Sequence, residues 1–215
     1  MLPWSKRRPD LPFPKDTPLQ SVRYVVLDTE LTSLDNRTNR LLSVGAIAMN
    51  GARILMGEQF YRVANPGVVV PEQSIVIHKL RPADIQNGEP MGKVLADLQG
   101  FIAGAVLVGH FAEIDMKVLR KELAALGSEL ANPALCTARI QRWIVQKQRY
   151  SEDQFHRLEQ VNLAALAKLY KIEVAEAHHA LDDAFVTARL WQKMTYEVEK
   201  LGVTTIGQLL KIGGL

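Results

Sequence analysis

The 215-residue sequence predicts an α/β fold, a mixed sheet with helices packed against it. Three observations carry that expectation. Residues 24–27 form a short apolar run that stops at the acidic Asp28, the pattern of a central strand. Asn50-Gly51 stands between two strand-like runs, which is a strong hairpin signal. After Pro90 the apolar residues change from strand to helical period.

In chain order, residues 1–20 are rich in proline and basic residues and show no periodicity, so they predict an extended arm. Lys6, Arg7 and Arg8 there would grip phosphate or, as the preferred account, belong to a solvated tail. Residues 21–215 predict one domain. Strands are expected at 22–27, 41–49 and 53–63. Val94, Leu95, Leu98, Phe101 and Ile102 then mark a helix, and residues 105–108 a buried strand ending at Gly109. Ile114, Val118, Leu119, Leu123 and Leu126 trace a second helix that stops at Gly127, and a short strand surrounds Leu135. Residues 137–149 read as helix and 150–157 as polar loop. Leu163, Leu166, Ala167 and Tyr170 mark another helix. Ala180, Ala184 and Ala188 form a small-residue stripe that lets a helix approach a sheet closely. A last short helix covers 206–210. The order is β-β-β-α-β-α-β followed by helices.

Composition bounds the function without choosing it. Hydrophobic residues at 47% and charged residues at 23% match an ordinary globular protein with a core of useful size. The single cysteine, Cys136, excludes an internal disulfide and fits a reducing, cytoplasmic setting, with Cys136 itself read as a small core residue. No apolar run near the start is long enough for a signal peptide or membrane span. A net charge of +3 permits a polyanionic partner but does not demand one.

The chemistry collects in carboxylates at strand ends and helix starts. Asp28 and Glu30 are two apart on a strand, so both project to one face. Two acids held together repel and raise each other's pKa unless a cation lies between them. An all-oxygen site without a cysteine–histidine cluster suits magnesium or manganese better than zinc. A lone Asp-x-Glu is weak, since such pairs occur at surface strand ends by chance. Asp115 falls in the first turn of a predicted helix, and its i+4 neighbour Leu119 belongs to the core stripe, so it leans inward. A favourable helix dipole would account for an acid there, but accounts equally for Glu113. In residues 178–191, spacing allows His178 with Asp182, His179 with Asp183, or His178 in a loop with Asp183; it does not choose. Four carboxylates and one histidine match the needs of two-metal phosphoryl hydrolysis, with the histidine as base near neutral pH.

These residues resemble the DEDDh branch of the DnaQ-like 3′–5′ exonucleases. Asp28-Thr29-Glu30-Leu31-Thr32-Ser33 is similar to the family's Asp-x-Glu-Thr-Thr-Gly. His110-Phe111 followed by Asp115 is similar to its His-Asn pair and helix-start Asp, and residues 178–184 match His-x-Ala-x-x-Asp-Ala. Ile77-His78-Lys79-Leu80 is similar to its Ile-His-Gly-Ile stretch. The resemblance covers residues 22–191 and assigns the base to His178 and the ligand to Asp183. It implies a ribonuclease H-like fold, a five-stranded mixed sheet flanked by helices. It further implies that Asp28, Glu30 and Asp183 hold a first divalent ion with Asp115 in support, that Asp28 bridges to a second, and that both are Mg2+ or Mn2+. Thr29, Leu31, Thr32, His78 and Phe111 are the expected substrate contacts.

Leu31, Ser33, Lys79 and Phe111 depart from the family pattern, and none is a ligand position. Phe111 offers either a face for a stacked base or simple core packing. Arg139, Arg142, Lys147, Arg149 and Arg157 would track a phosphate backbone or form a solvated helix face. No partner can be named for His110 or His156.

The expected activity is removal of nucleoside monophosphates from the 3′ end of single-stranded nucleic acid, DNA ahead of RNA, in the setting of a DNA polymerase or repair complex. The rivals are an RNA-trimming or short-oligonucleotide hydrolase of the same branch and a catalytically silent adaptor that binds nucleic acid or a polymerase. The filled catalytic positions argue against silence, because a binding module has no need of repelling acids.

Overall fold

The computed structural model describes residues 12–33, 35, 37–70, 80–148, 161–174 and 179–215. Its strands are β1 (Arg23–Leu31), β2 (Leu41–Asn50), β3 (Arg53–Asn65), β4 (Glu89–Pro90), β5 (Val106–Gly109) and β6 (Ala134–Cys136). The helices are α1 (Pro82–Gln86), α2 (Met91–Phe101), α3 (Glu113–Ala125), α4 (Thr137–Lys147), α5 (Leu163–Leu169), α6 (Ala180–Lys200) and α7 (Ile206–Gly213). The sheet order is β4-β3-β2-β1-β5-β6. β1 to β3 pair antiparallel, and β5 and β6 join parallel to β1. The fold is a ribonuclease H-like mixed sheet with helices on both faces. It has one strand more than the expected five if the two-residue β4 is counted. That strand pairs only Ala64 and Asn65, and Pro90, which lacks an amide donor, stops it.

Both faces of the sheet are covered, and the strands alternate between them. Tyr24, Val26, Ile47, Met49, Val106 and Val108 pack with Leu166, Leu190, Trp191 and Leu209 of α5, α6 and α7. Val25, Leu27, Val44, Ala46 and Leu107 pack with Leu95, Leu98, Leu119 and Leu123 of α2 and α3. Burial on both sides explains why β2 is buried at every position but its last. The rings of Tyr24 and Trp191 meet edge to face with centroids 5.2 Å apart, an arrangement worth about 0.5–1.5 kcal/mol beyond the buried area.

β1 continues past Asp28 to Leu31, so the acids lie within the strand rather than beyond its end. β5 accompanies β1 only from Tyr24 to Val26 and ends at Gly109. The crevice opens there, between the unaccompanied end of β1 and the start of α3. The segment joining β1 to β2 is pinned to α3 from both sides. Arg40 reaches Glu122 through Nε at 2.6 Å and Nη2 at 3.2 Å, and Lys121 donates to the Asn39 side chain and carbonyl.

The described part of the expected arm is tied down at its end. The Leu19 amide donates to the Thr204 carbonyl at 3.0 Å, and the Leu19 side chain is fully buried. No helix among the described residues is long and apolar enough to cross a membrane.

Candidate active site

Asp28 and Glu30 share the α6 face of β1, as period-two alternation requires. Opposite Asp28 on β2 stands Gly45, and opposite Gly45 on β3 stands Tyr61. α6 enters over Gly45, its expected small-residue stripe of Ala180, Ala184 and Ala188 fully buried. This entry brings Asp183, in the first turn of α6, onto the acids of β1. Carboxylate oxygens of Asp28, Glu30 and Asp183 lie within 4.8 Å of one another.

Asp115 arrives from the other face of the sheet. It sits in the first turn of α3, only 5% exposed, and accepts a hydrogen bond from Thr29 Oγ1 at 2.5 Å. Its neighbour Glu113 pairs instead with Arg139 Nε at 2.6 Å. The inward lean expected of Asp115 over Glu113 is the arrangement found.

Crowding shapes the electrostatics. Asp28 is held well above the usual carboxylate range by burial first, then by Asp115, Glu30 and Asp183. Burial, followed by the charges of Asp183 and Asp115, pushes Glu30 up to about 7. Asp115 rises to about 7 through burial, opposed by the Thr29 hydroxyl. Such a cluster holds protons at neutral pH or gathers cations. Three convergent carboxylates, partly exposed and all of oxygen chemistry, fit a hard divalent ion.

Other expected site residues have different surroundings. The Thr29 hydroxyl is engaged by Asp115. Thr32 Oγ1 accepts from the Arg40 amide at 2.9 Å, and the Thr32 amide donates to the Arg40 carbonyl at 3.0 Å, closing the loop between β1 and β2. Leu31 packs against the α2–α3 core. Phe111 has a left-handed backbone, φ 54°; the residue is 37% exposed and its ring is edge-on to His110 at 4.6 Å. His179 precedes the first residue of α6 without a side-chain capping bond, its Nδ1 3.1 Å from Asp182 Oδ2. His78, Lys79, Arg149, His156, Arg157 and His178 lie outside the described residues.

His110 does have a partner. Its Nδ1 is 2.8 Å from Thr137 Oγ1, which itself donates to the Gly109 carbonyl at 3.2 Å. Burial lowers His110 to about 4 and keeps it neutral. Arg139, expected on a basic wall, is bound to Glu113 and to the Gly214 carbonyl. Cys136 is buried and free, as a small core residue.

Sequence reasoning missed Tyr61. Its ring stacks on His179 with centroids 4.6 Å apart and planes at 34°. Its phenol is raised by burial, opposed by Ser43, with Glu30 and Asp182 among the charges raising it further. A glycine inside a strand is the signal for a close backbone approach, and at Gly45 it would have located the seat of α6 beside Tyr61.

Comparison with known proteins gives the family and the fold. A DNA polymerase III subunit epsilon-like protein of Rhodobacter capsulatus is 29% identical over 198 residues, covering 91% of this chain and 27% of its own. The DNA polymerase III subunit epsilon of Aquifex aeolicus is 27% identical over 176 residues, covering 81% of each. A DNA polymerase III PolC-type chain of Thermotoga maritima is 24% identical, with 92% of this chain and 14% of that one covered. The chain thus spans less than a third of the Rhodobacter and Thermotoga relatives. Among solved structures, E. coli exonuclease I in complex with a dT13 oligonucleotide superposes with a TM-score of 0.70 at 16% identity, over 84% of this chain and 42% of that one. Exonuclease X in complex with 5′ overhanging duplex DNA gives 0.64 at 20% identity, over 89% and 98%. Cell-death related nuclease 4 gives 0.68 at 14% identity, over 82% and 64%. At such identities the likeness is one of fold. The sequence pattern of the RNase_T exonuclease family, however, matches residues 25–191, a span that takes in every acid of the crevice, and the chain belongs to this DnaQ-like exonuclease family.

Proposed function

We propose that this chain is a 3′–5′ exonuclease that hydrolyses the terminal phosphodiester of single-stranded nucleic acid with two divalent ions, Mg2+ or Mn2+. The observation that carries the reading is the convergence of Asp28, Glu30 and Asp183 within 4.8 Å, beside a buried Asp115. A fold does not gather mutually repelling acids for stability.

In this reading Asp28, Glu30 and Asp183 hold one ion, and Asp28 with Asp115 serves the other. Bound divalent ions there supply positive charge to the attacking and leaving oxygens of an in-line displacement. His178, which the motif pairs with Asp183, takes the proton of the attacking water. Phe111 offers an exposed ring for a base at the crevice rim. DNA is favoured as substrate because relatives are named as DNA polymerase III subunits and solved neighbours hold DNA. The same names support association with a DNA polymerase.

The test is digestion of 5′-labelled single-stranded DNA and its RNA counterpart with Mn2+, with EDTA, and with Asp28→Ala and His178→Ala. A ladder shortening from the 3′ end, abolished by EDTA and in both variants, is expected, with DNA the better substrate. A folded, metal-loaded protein that cuts neither strand sinks the reading in favour of a binding role.

A further inference from the structure

We infer that Thr29 is a positioning residue that orients Asp115 for the second of two divalent ions, an inference that rests on the two-ion reading above. Thr29 was expected to contact substrate; its surroundings give it another task. On β1, Asp28 and Glu30 face α6, so Thr29 between them faces α3. β5 stops at Gly109 and leaves this end of β1 without a neighbour on that side. The first turn of α3 fills the gap, and Oγ1 of the half-buried Thr29 donates to Oδ1 of the buried Asp115 at 2.5 Å.

A threonine hydroxyl has one proton, and here it is committed to one oxygen of Asp115. Together with backbone hydrogen bonds from Thr29 and from Asp115 itself, the hydroxyl fixes the orientation of the carboxylate. Asp115 is absent from the set of three acids whose oxygens converge within 4.8 Å. Its hydrogen bond is to Thr29, the residue between Asp28 and Glu30 on β1, so Asp115 is held at the edge of that set rather than within it. An ion between Asp28 and Asp115 is the one that depends on the Thr29 hydroxyl. Removing such an outer partner of a ligand lowers metal affinity about 10–100-fold.

The test is a calorimetric Mn2+ titration of the full chain and of Thr29→Val and Thr29→Ser, with thermal melts in EDTA. Valine keeps the shape and removes the donor; serine restores it. The expected result is two ions on the parent. Thr29→Val keeps one at parental affinity and binds the other about 10–100-fold more weakly, with its melt in EDTA unchanged, and Thr29→Ser binds as the parent does. A Thr29→Val protein that binds both ions as the parent does overturns the inference. So does one that weakens both ions together and melts lower in EDTA, since Thr29 would then act on the fold. A parent that binds fewer than two ions removes the two-ion reading itself, an outcome separate from either of these.

Discussion

Gly45 lies under the first turn of α6 with no room for a side chain: a Cβ there would stand 2.2 Å from the Leu181 amide nitrogen. The atoms it would meet are backbone, which cannot rotate away. The bare strand position is what allows the helix bearing Asp183 to settle beside Asp28.

Gly45→Ala is therefore expected to lift the start of α6. The predicted loss is about 1–3 kcal/mol by urea denaturation, the usual penalty for overpacking. Mn2+ binding should weaken with it, since Asp183 rides on the displaced turn. An alanine variant as stable as the parent, with unchanged Mn2+ binding, would show that the helix does not depend on this contact.

The acid cluster gives the metal-free protein a definite pH response. Glu30 and Asp115 are pushed up to about 7 and Asp28 is raised well above the carboxylate range. A carboxyl raised on folding stabilises the fold below its unfolded value and loses that contribution as pH rises through the folded one. In EDTA the melting temperature should fall between about pH 4.5 and 7, the span from the unfolded to the folded values of Glu30 and Asp115, and saturating Mn2+ should flatten the fall. His110 has the opposite sign, because its pKa is lowered; its contribution is complete above about 6.5 and is lost toward pH 4. Asp28→Asn should raise the EDTA melting temperature at pH 8, by the equivalent of about 1–3 kcal/mol. A melting temperature in EDTA that climbs with pH across this window would contradict the assignment.

Phe111 separates two roles by opposing readouts. Its left-handed backbone, φ 54°, costs a non-glycine residue about 1–2 kcal/mol, and asparagine tolerates that region better. The edge contact with His110 returns about 0.5–1.5 kcal/mol. Phe111→Asn should therefore leave stability within about 1 kcal/mol of the parent. If the ring carries a base, KM for single-stranded DNA should rise about 5–150-fold, the worth of one stacked base. A marked fall in melting temperature with KM unchanged would make Phe111 a packing residue only.

Much of the fold was legible because each element announces its own period: the run before Asp28, the turn at Asn50-Gly51 and the alanine stripe of α6 are all local signals. The inward lean of Asp115 followed from Leu119 one turn on. Other features depend on what lies opposite, which spacing does not encode. Alternation put Thr29 on the face away from Asp28, but only the docked α3 could reveal that its hydroxyl meets Asp115. The bond from the Arg40 amide to Thr32, the stack of Tyr61 on His179 and the anchoring of Leu19 by Thr204 join segments that share no local pattern. Spacing alone also left the histidine–aspartate register of residues 178–183 open; the structure brings Asp183 to Asp28 and Glu30, and the pairing with His178 rests on the motif resemblance.

The sheet order has a kinetic consequence. Asp28 and Glu30 arrive on the first strand, whereas Asp183 arrives on a helix near the other end of the chain. Docking that helix on β1 and β2 closes a loop of nearly the whole domain, so the contact that completes the cluster is one of long sequence separation and high closure entropy. Divalent ions that recognise only the completed cluster are expected to slow unfolding more than they speed folding, a difference that folding and unfolding rates with and without Mn2+ would read.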